Sequence, residues 1–110
     1  MTRHWLLRYD LAPDYLERRA ALRDEHLALA WAAADRGELL LGGAVGEPPA
    51  EAVLLFTGEA PEAAERFAAA DPYVAAGLVT GWRVLPWATV VGDGASAPVR
   101  ATLASKSEQF

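Results

Sequence analysis

The apolar positions of the chain fall into short blocks, and the spacing changes from one block to the next. Trp5-Leu6-Leu7-Arg8-Tyr9 is a short aromatic and aliphatic run that ends at Asp10, the pattern of a first strand. Pro13-Asp14 then predicts a helix start, with Asp14 and Glu17 at the spacing of a capping box; such a pair satisfies amides that a helix start leaves unbonded. Behind it, Tyr15, Leu22, His26, Leu29 and Ala33 recur at steps of seven, four, three and four, a helical stripe with Glu17, Arg18, Asp24 and Glu25 off it. Gly37 stands where a left-handed residue would end that helix.

Glu38-Leu39-Leu40-Leu41-Gly42 opens a second strand running toward Val45, and Gly46-Glu47-Pro48-Pro49-Ala50 is a turn by composition. Ala52 to Thr57 reads as a third strand, apolar at consecutive positions, which predicts cover on both faces. Pro61 begins a second helix through about Ala70, with Ala64, Phe67 and Ala68 inward. Asp71-Pro72-Tyr73-Val74-Ala75-Ala76-Gly77 predicts one further helical turn. Asp71 would cap it, Pro72 would hold its first position and Gly77 would end it. A fourth strand spans Val79 to Trp87, Gly92 to Pro98 reads as a linker, and the last dozen residues carry no clear period.

The order is βαββαβ, and its simplest closure is a four-stranded antiparallel sheet with both helices on one face: an α+β, ferredoxin-like domain over residues 1–91, followed by a linker and tail over 92–110. The other sheet face would then be bare. With Val53, Leu54, Leu55 and Phe56 on one strand and Trp5, Trp82 and Trp87 on others, it would form an apolar patch of a kind monomers rarely expose. A second copy covering that face, a homodimer, is the expectation. At 110 residues a chain has limited core of its own, and pairing would add to its stability.

Composition narrows the function. The net charge of −5 comes with a single lysine, Lys106, and scattered arginines, the opposite of a phosphate-backbone reader. No nucleic-acid partner is expected. With no cysteine, disulfides, thiolate metal sites and a cysteine nucleophile are excluded. No apolar run reaches the ~18–20 residues a membrane helix needs, and Met1 to Trp5 reads straight into a strand rather than a signal peptide, so a cytoplasmic protein with no membrane partner is expected. There is no phosphate-binding glycine loop and no Gly-x-Ser-x-Gly elbow, and with only His4 and His26 a histidine metal site lacks ligands. Neither metal nor cofactor is expected.

Two positions stand out. His26 lies on the inward stripe of the first helix, where an imidazole with an ordinary pKa of ~6.5 can serve as acid or base, or can sit as a core histidine bonded to a carbonyl. Asp71 can cap a helix, or orient an imidazole and stabilise its charged form. Arg23, three residues before His26, neighbours it on the helix and is a candidate for binding an anionic substrate, or a surface arginine paired with an acid. Tyr73 offers a hydroxyl or packs. His4, on the first strand, reads as solvated.

Together these segments resemble the YCII-related (YciI-like) family. The matching blocks are Leu22 to Leu27 with its Arg-x-x-His, Gly37 to Gly43, Ala52 to Phe56, the Ala-Asp-Pro-Tyr-x-x-x-Gly run from Ala70 to Gly77, and Val84 to Trp87. The resemblance implies a dimeric α+β barrel, with His26 and Asp71 facing a pocket between helix and sheet as the acid–base pair. Few members have an assigned reaction, and those act on ring-derived small molecules, for example removing HCl from a chlorinated hydroquinone. The turn Gly46-Glu47-Pro48-Pro49 and the Ala44 after Gly43 depart from the family pattern. The leading expectation is a cofactor-independent lyase or isomerase, with His26 and Asp71 moving a proton and Arg23 and Tyr73 binding substrate. The rival is a non-catalytic dimer that binds a small ligand or a protein; a cofactor-free oxygenase stands third.

Overall fold

Alternation along the first strand decides which way the domain folds. In the computed structural model, which describes residues 2–101, β1 (Arg3–Leu11) turns Trp5, Leu7 and Tyr9 toward the helices, all buried. The remaining elements are α1 (Tyr15–Arg19), α2 (Arg23–Asp35), β2 (Leu39–Val45), β3 (Glu51–Gly58), α3 (Glu62–Ala70), α4 (Pro72–Ala75) and β4 (Val79–Trp87). The four strands form one antiparallel sheet in the order β2-β3-β1-β4. This is the ferredoxin-like α+β arrangement that the element order predicts.

The core lies between that sheet and the helices. Leu7, Tyr9, Leu54 and Phe56 meet Ala64, Phe67 and Ala68 of α3 and Tyr73 of α4. The small alanines let α3 come close to the sheet, and Phe67 fills the space against Phe56, ring centres 5.6 Å apart. The two helices that lead into strands, α2 and α4, end in the same way. Gly37 (φ +81°) and Gly77 (φ +80°) take the left-handed conformation, which costs glycine little. In each case the glycine and the next residue donate back into the last turn: Gly37 to Ala34 and Glu38 to Ala33, Gly77 to Val74 and Leu78 to Tyr73. These caps turn the chain directly into β2 and β4.

Several sequence expectations need correction. The first helix is two helices, interrupted at residues 20–22. No proline or glycine stands there, so tertiary contacts set the break rather than residue preference. Arg18 donates to the Ala76 carbonyl at 2.6 Å, and Tyr15 packs edge-on to Tyr73 at 5.7 Å, which tie α1 to α4. The capping box is not formed: Asp14 makes no side-chain cap bond and its carboxylate lies 3.7 Å from Arg18 instead.

His4 is not solvated. β1 is an inner strand, and the chain beyond β4 folds back so that Thr89 Oγ1 meets His4 Nδ1 at 2.6 Å, leaving His4 buried. Trp5 belongs to the helix-side core, and Trp82, paired across from Tyr9, shares that face. β3 has helices over one face only; on the other, Val53 and Leu55 remain half-buried, beside exposed Leu41, Val45, Leu85 and Trp87. Thr89 and Val90 also take up Ala97 and Val99, a hairpin-like return within the predicted linker. Residues 102–110, most of the predicted tail, lie outside the described residues.

Candidate functional site

Asp71 is where the local and the long-range requirements meet. It lies between α3 and α4 with extended backbone (φ −71°, ψ 121°), and its Oδ1 accepts from the Tyr73 amide at 2.9 Å, so it caps α4 as its Asp-Pro context predicts. The same carboxylate has no exposed surface and takes two further donors. Tyr9, from the middle of β1, donates its hydroxyl to Oδ2 at 2.7 Å. His26, one turn into α2, brings Nδ1 to within 2.9 Å of Oδ1 and 3.1 Å of Oδ2. Cap and histidine partner, offered by the sequence as alternatives, are one side chain performing both tasks.

A carboxylate only accepts, so it fixes Nδ1 of His26 as the protonated nitrogen and leaves Nε2 with the lone pair of a neutral ring. The ring cannot swing away. It stacks on Tyr73 with centres 3.9 Å apart and planes 7° from parallel, and Phe67 meets it edge-on at 6.2 Å. Burial pushes the Tyr9 phenol well above its usual range, and the charge and hydrogen bond of Asp71 reinforce this, so Tyr9 is a permanent donor. Burial, with Tyr15 beside it, pushes the Tyr73 phenol up to about 12, while Arg23 and Arg19 pull it the other way.

His26 lines a cleft of about 340 Å³ between α2 and the β2 edge. Arg23 and Tyr73 line it too, so all the predicted site residues except Asp71 border one space, and Asp71 stands directly behind the histidine. Among the described residues Arg23 has no acidic partner, unlike the paired surface arginine that was its alternative reading. The outer wall is apolar: Leu27, Ala30 and Trp31 from α2 face Leu40 from β2. A register shift between Leu39 and Leu41 inserts Leu40 as an extra residue, a bulge that re-aims the edge strand toward the cleft.

Sequence reasoning missed four participants. Tyr9 reads as one more core residue of an alternating strand; its only signal is a hydroxyl that, once buried, needs an acceptor. Tyr15 and Arg19 sit before the unpredicted helix break. Trp31 lies off the inward stripe, and only its large apolar surface at a polar position marks it.

The architecture agrees with the sequence comparison. The profile of the YCII-related domain matches residues 2–88. The chain belongs to that family. No curated protein sequence matches it, but solved structures do. A 5-chloro-2-hydroxyhydroquinone dehydrochlorinase (TftG) from Burkholderia phenoliruptrix, in complex with 2,5-dihydroxybenzoquinone, superposes with a TM-score of 0.64 at 20% identity, over 78% of this chain and 94% of that one. Rv0793 from Mycobacterium tuberculosis superposes with a TM-score of 0.51 at 17% identity, over 86% of this chain and 100% of that one. At these identities the likeness concerns the fold. Among the described residues no helix is long and apolar enough to cross a membrane.

Proposed function

We propose that this YCII-related domain is a small-molecule enzyme that moves a proton with its own side chains, through elimination or isomerisation next to a carbonyl or phenol. The observation that carries the reading is the His26 ring, held by Asp71 through Nδ1 at 2.9 Å while it lines the cleft. Nε2 takes a proton from carbon or hydroxyl; the imidazolium formed is stabilised by the buried carboxylate behind it and returns the proton to the product or leaving group. Tyr9 keeps Asp71 fixed, Tyr73 keeps the ring plane, and Arg23 binds the acidic part of the substrate. The neighbour with the same fold is a dehydrochlorinase, an enzyme that removes HCl, which is an analogy at fold level only. The open sheet face, with Leu41, Val45, Leu85 and Trp87 exposed, supports a homodimer in which a second copy covers it.

Proton exchange tests the reading before any product is known. Ring-derived phenols, quinols and keto acids are incubated with the protein in deuterium oxide, and carbon-bound deuterium is followed by NMR. Exchange should occur with the wild type and fall by ~10²–10⁴-fold in His26→Gln, the usual contribution of a positioned acid or base. Equal exchange by the two proteins would remove His26 from the chemistry. A second reading, a non-catalytic binding domain, draws on Asp71, whose capping bond and tyrosine bond are reason enough to retain a carboxylate there. On that reading His26→Gln binds and exchanges as the wild type does.

A further inference from the structure

The cleft wall carries charge of one sign only. The protein is acidic, net −5, yet among the described residues no aspartate or glutamate borders the cleft, while Arg19 and Arg23 both do. Arg19 ends α1 and Arg23 begins α2, four residues apart across the helix break. Among the described residues four of the nine arginines, Arg8, Arg18, Arg36 and Arg66, have an acidic partner, and Arg19 and Arg23 are among those that do not. Arg19 rests over the Tyr15 ring at 5.6 Å, and both guanidinium groups bear on the Tyr73 phenol. Since Tyr73 is stacked on His26, the positive charge lies at the histidine end of the cleft.

The rest of the wall is of the opposite character. Trp31 is 66% exposed and Leu40 48% exposed, and with Leu27 they border the same space. Isolated exposed apolar residues are ordinary, but a group converging on one cleft marks a ligand surface. At about 340 Å³ the cleft is at the small end of ligand sites, sized for one or two rings.

We propose that the cleft takes an aryl carboxylate, its anion held by Arg19 and Arg23 and its ring lying along Leu27, Trp31 and Leu40. The assignment rests on the cleft being the site proposed above and names its substrate class. Guanidinium forks match carboxylate oxygens in pairs. They match phosphate as well, but a phosphate dianion loses more hydration than two partly solvated arginines beside a leucine wall can replace. Held this way, the carbon skeleton next to the carboxylate lies at the end of the cleft where His26 sits.

The test is calorimetric titration of the full chain with 2-naphthoate, 2-naphthamide and 2-naphthyl phosphate, with Trp31 indole shifts followed by NMR. The carboxylate should bind about tenfold more tightly than the amide, the equivalent of one good charge-assisted contact. Arg19→Gln and Arg23→Gln should each remove most of that preference and leave the amide unchanged, and the Trp31 signal should move with every ligand that binds. Arg36→Gln, at a surface arginine paired with Glu38, should bind as the wild type does. Equal affinity for carboxylate and amide, insensitivity to both arginine substitutions, or tighter binding of the phosphate would overturn the assignment. The titration reads binding without turnover and the deuterium exchange reads proton transfer, so a failed exchange experiment leaves the ligand class standing, and failed binding leaves the exchange result standing.

Discussion

The two histidines of the chain are each held through Nδ1 on opposite sides of one sheet, and it is His26 that lines the cleft of about 340 Å³. His4 faces the open side and meets Thr89 through Nδ1 at 2.6 Å; Thr89 is in turn tied to the Ser96 amide and hydroxyl. His26 faces the helix side and meets Asp71 through Nδ1 at 2.9 Å. A histidine held through Nδ1 is therefore not in itself a site. What differs is the partner's charge and the surroundings. Thr89 is neutral and closes His4 under the returning chain, while Asp71 is a buried anion that can stabilise an imidazolium, behind a ring open to a cleft with two unpaired arginines.

The comparison breaks most readily at the two partners. Asp71→Ala strands the Tyr9 hydroxyl, the Nδ1 proton of His26 and the Tyr73 amide together. Each buried donor left unpaired costs ~1–3 kcal/mol and the lost cap about 1, so a loss of about 4 kcal/mol is expected in urea unfolding, with proton exchange abolished. Thr89→Val, nearly isosteric, should cost only ~1–2 kcal/mol and leave exchange intact. Equal costs, or equal effects on exchange, would mean that the two histidines are the same kind of structural residue.

Tyr9→Phe sharpens the contrast at a smaller scale, since it removes one of the three donors to Asp71 without opening a cavity. A hydrogen bond to a charged acceptor is worth ~1.5–3 kcal/mol, and a loss near the lower end is expected because His26 and the Tyr73 amide still hold the carboxylate. The Nδ1-protonated tautomer of His26, read from its ring nitrogen shifts, should persist. A switch of tautomer would show that Tyr9, rather than the α4 cap, orients Asp71.

These features were unequally legible in the sequence. The strands and the capped turn at Asp71 are local: short apolar runs, Asp-Pro and two helix-ending glycines specify them within a few residues, and the structure follows them closely. His26 and Asp71 were singled out by residue type and context, and the fold brings them together. What was not legible depends on contacts between distant segments. Nothing around Ala20-Ala21-Leu22 signals a helix break, because the contacts beside it, Arg18 with the Ala76 carbonyl and Tyr15 with Tyr73, reach a distant segment. Nothing near Tyr9 signals Asp71, sixty-two residues on. His4 reads as solvated until the chain after β4 returns over it. Trp5 looked available for an open face because a run of aromatics conceals the period of two, which the pairing of Trp5 with Phe56 settles.

The smallest expected effect is a pH dependence that separates the two sides of the sheet by their phenols. Tyr73 stands beside His26, and its phenol, with an ordinary value of 10.0, is pushed up to about 12; no tyrosine neighbours His4. A group whose folded-state pKa is raised binds its proton more tightly in the folded protein. Between pH 10 and about 12 the folded chain therefore holds more protons than the unfolded one, and stability falls as pH rises through that window, having been fully present below it. Tyr9, raised further by burial beside Asp71, adds a slope of the same sign. One phenol can contribute at most ~1.4 kcal/mol per pH unit, and solvent at the cleft reduces that for Tyr73. Urea midpoints across this range should fall more steeply for the wild type than for Tyr73→Phe. Arg23→Gln, which removes the guanidinium that favours the phenolate more strongly than Arg19 does, should move the phenol's own alkaline transition, followed by near-ultraviolet absorbance, to still higher pH. A transition that stayed in place would mean that the Arg23 charge does not reach the end of the cleft where Tyr73 covers His26.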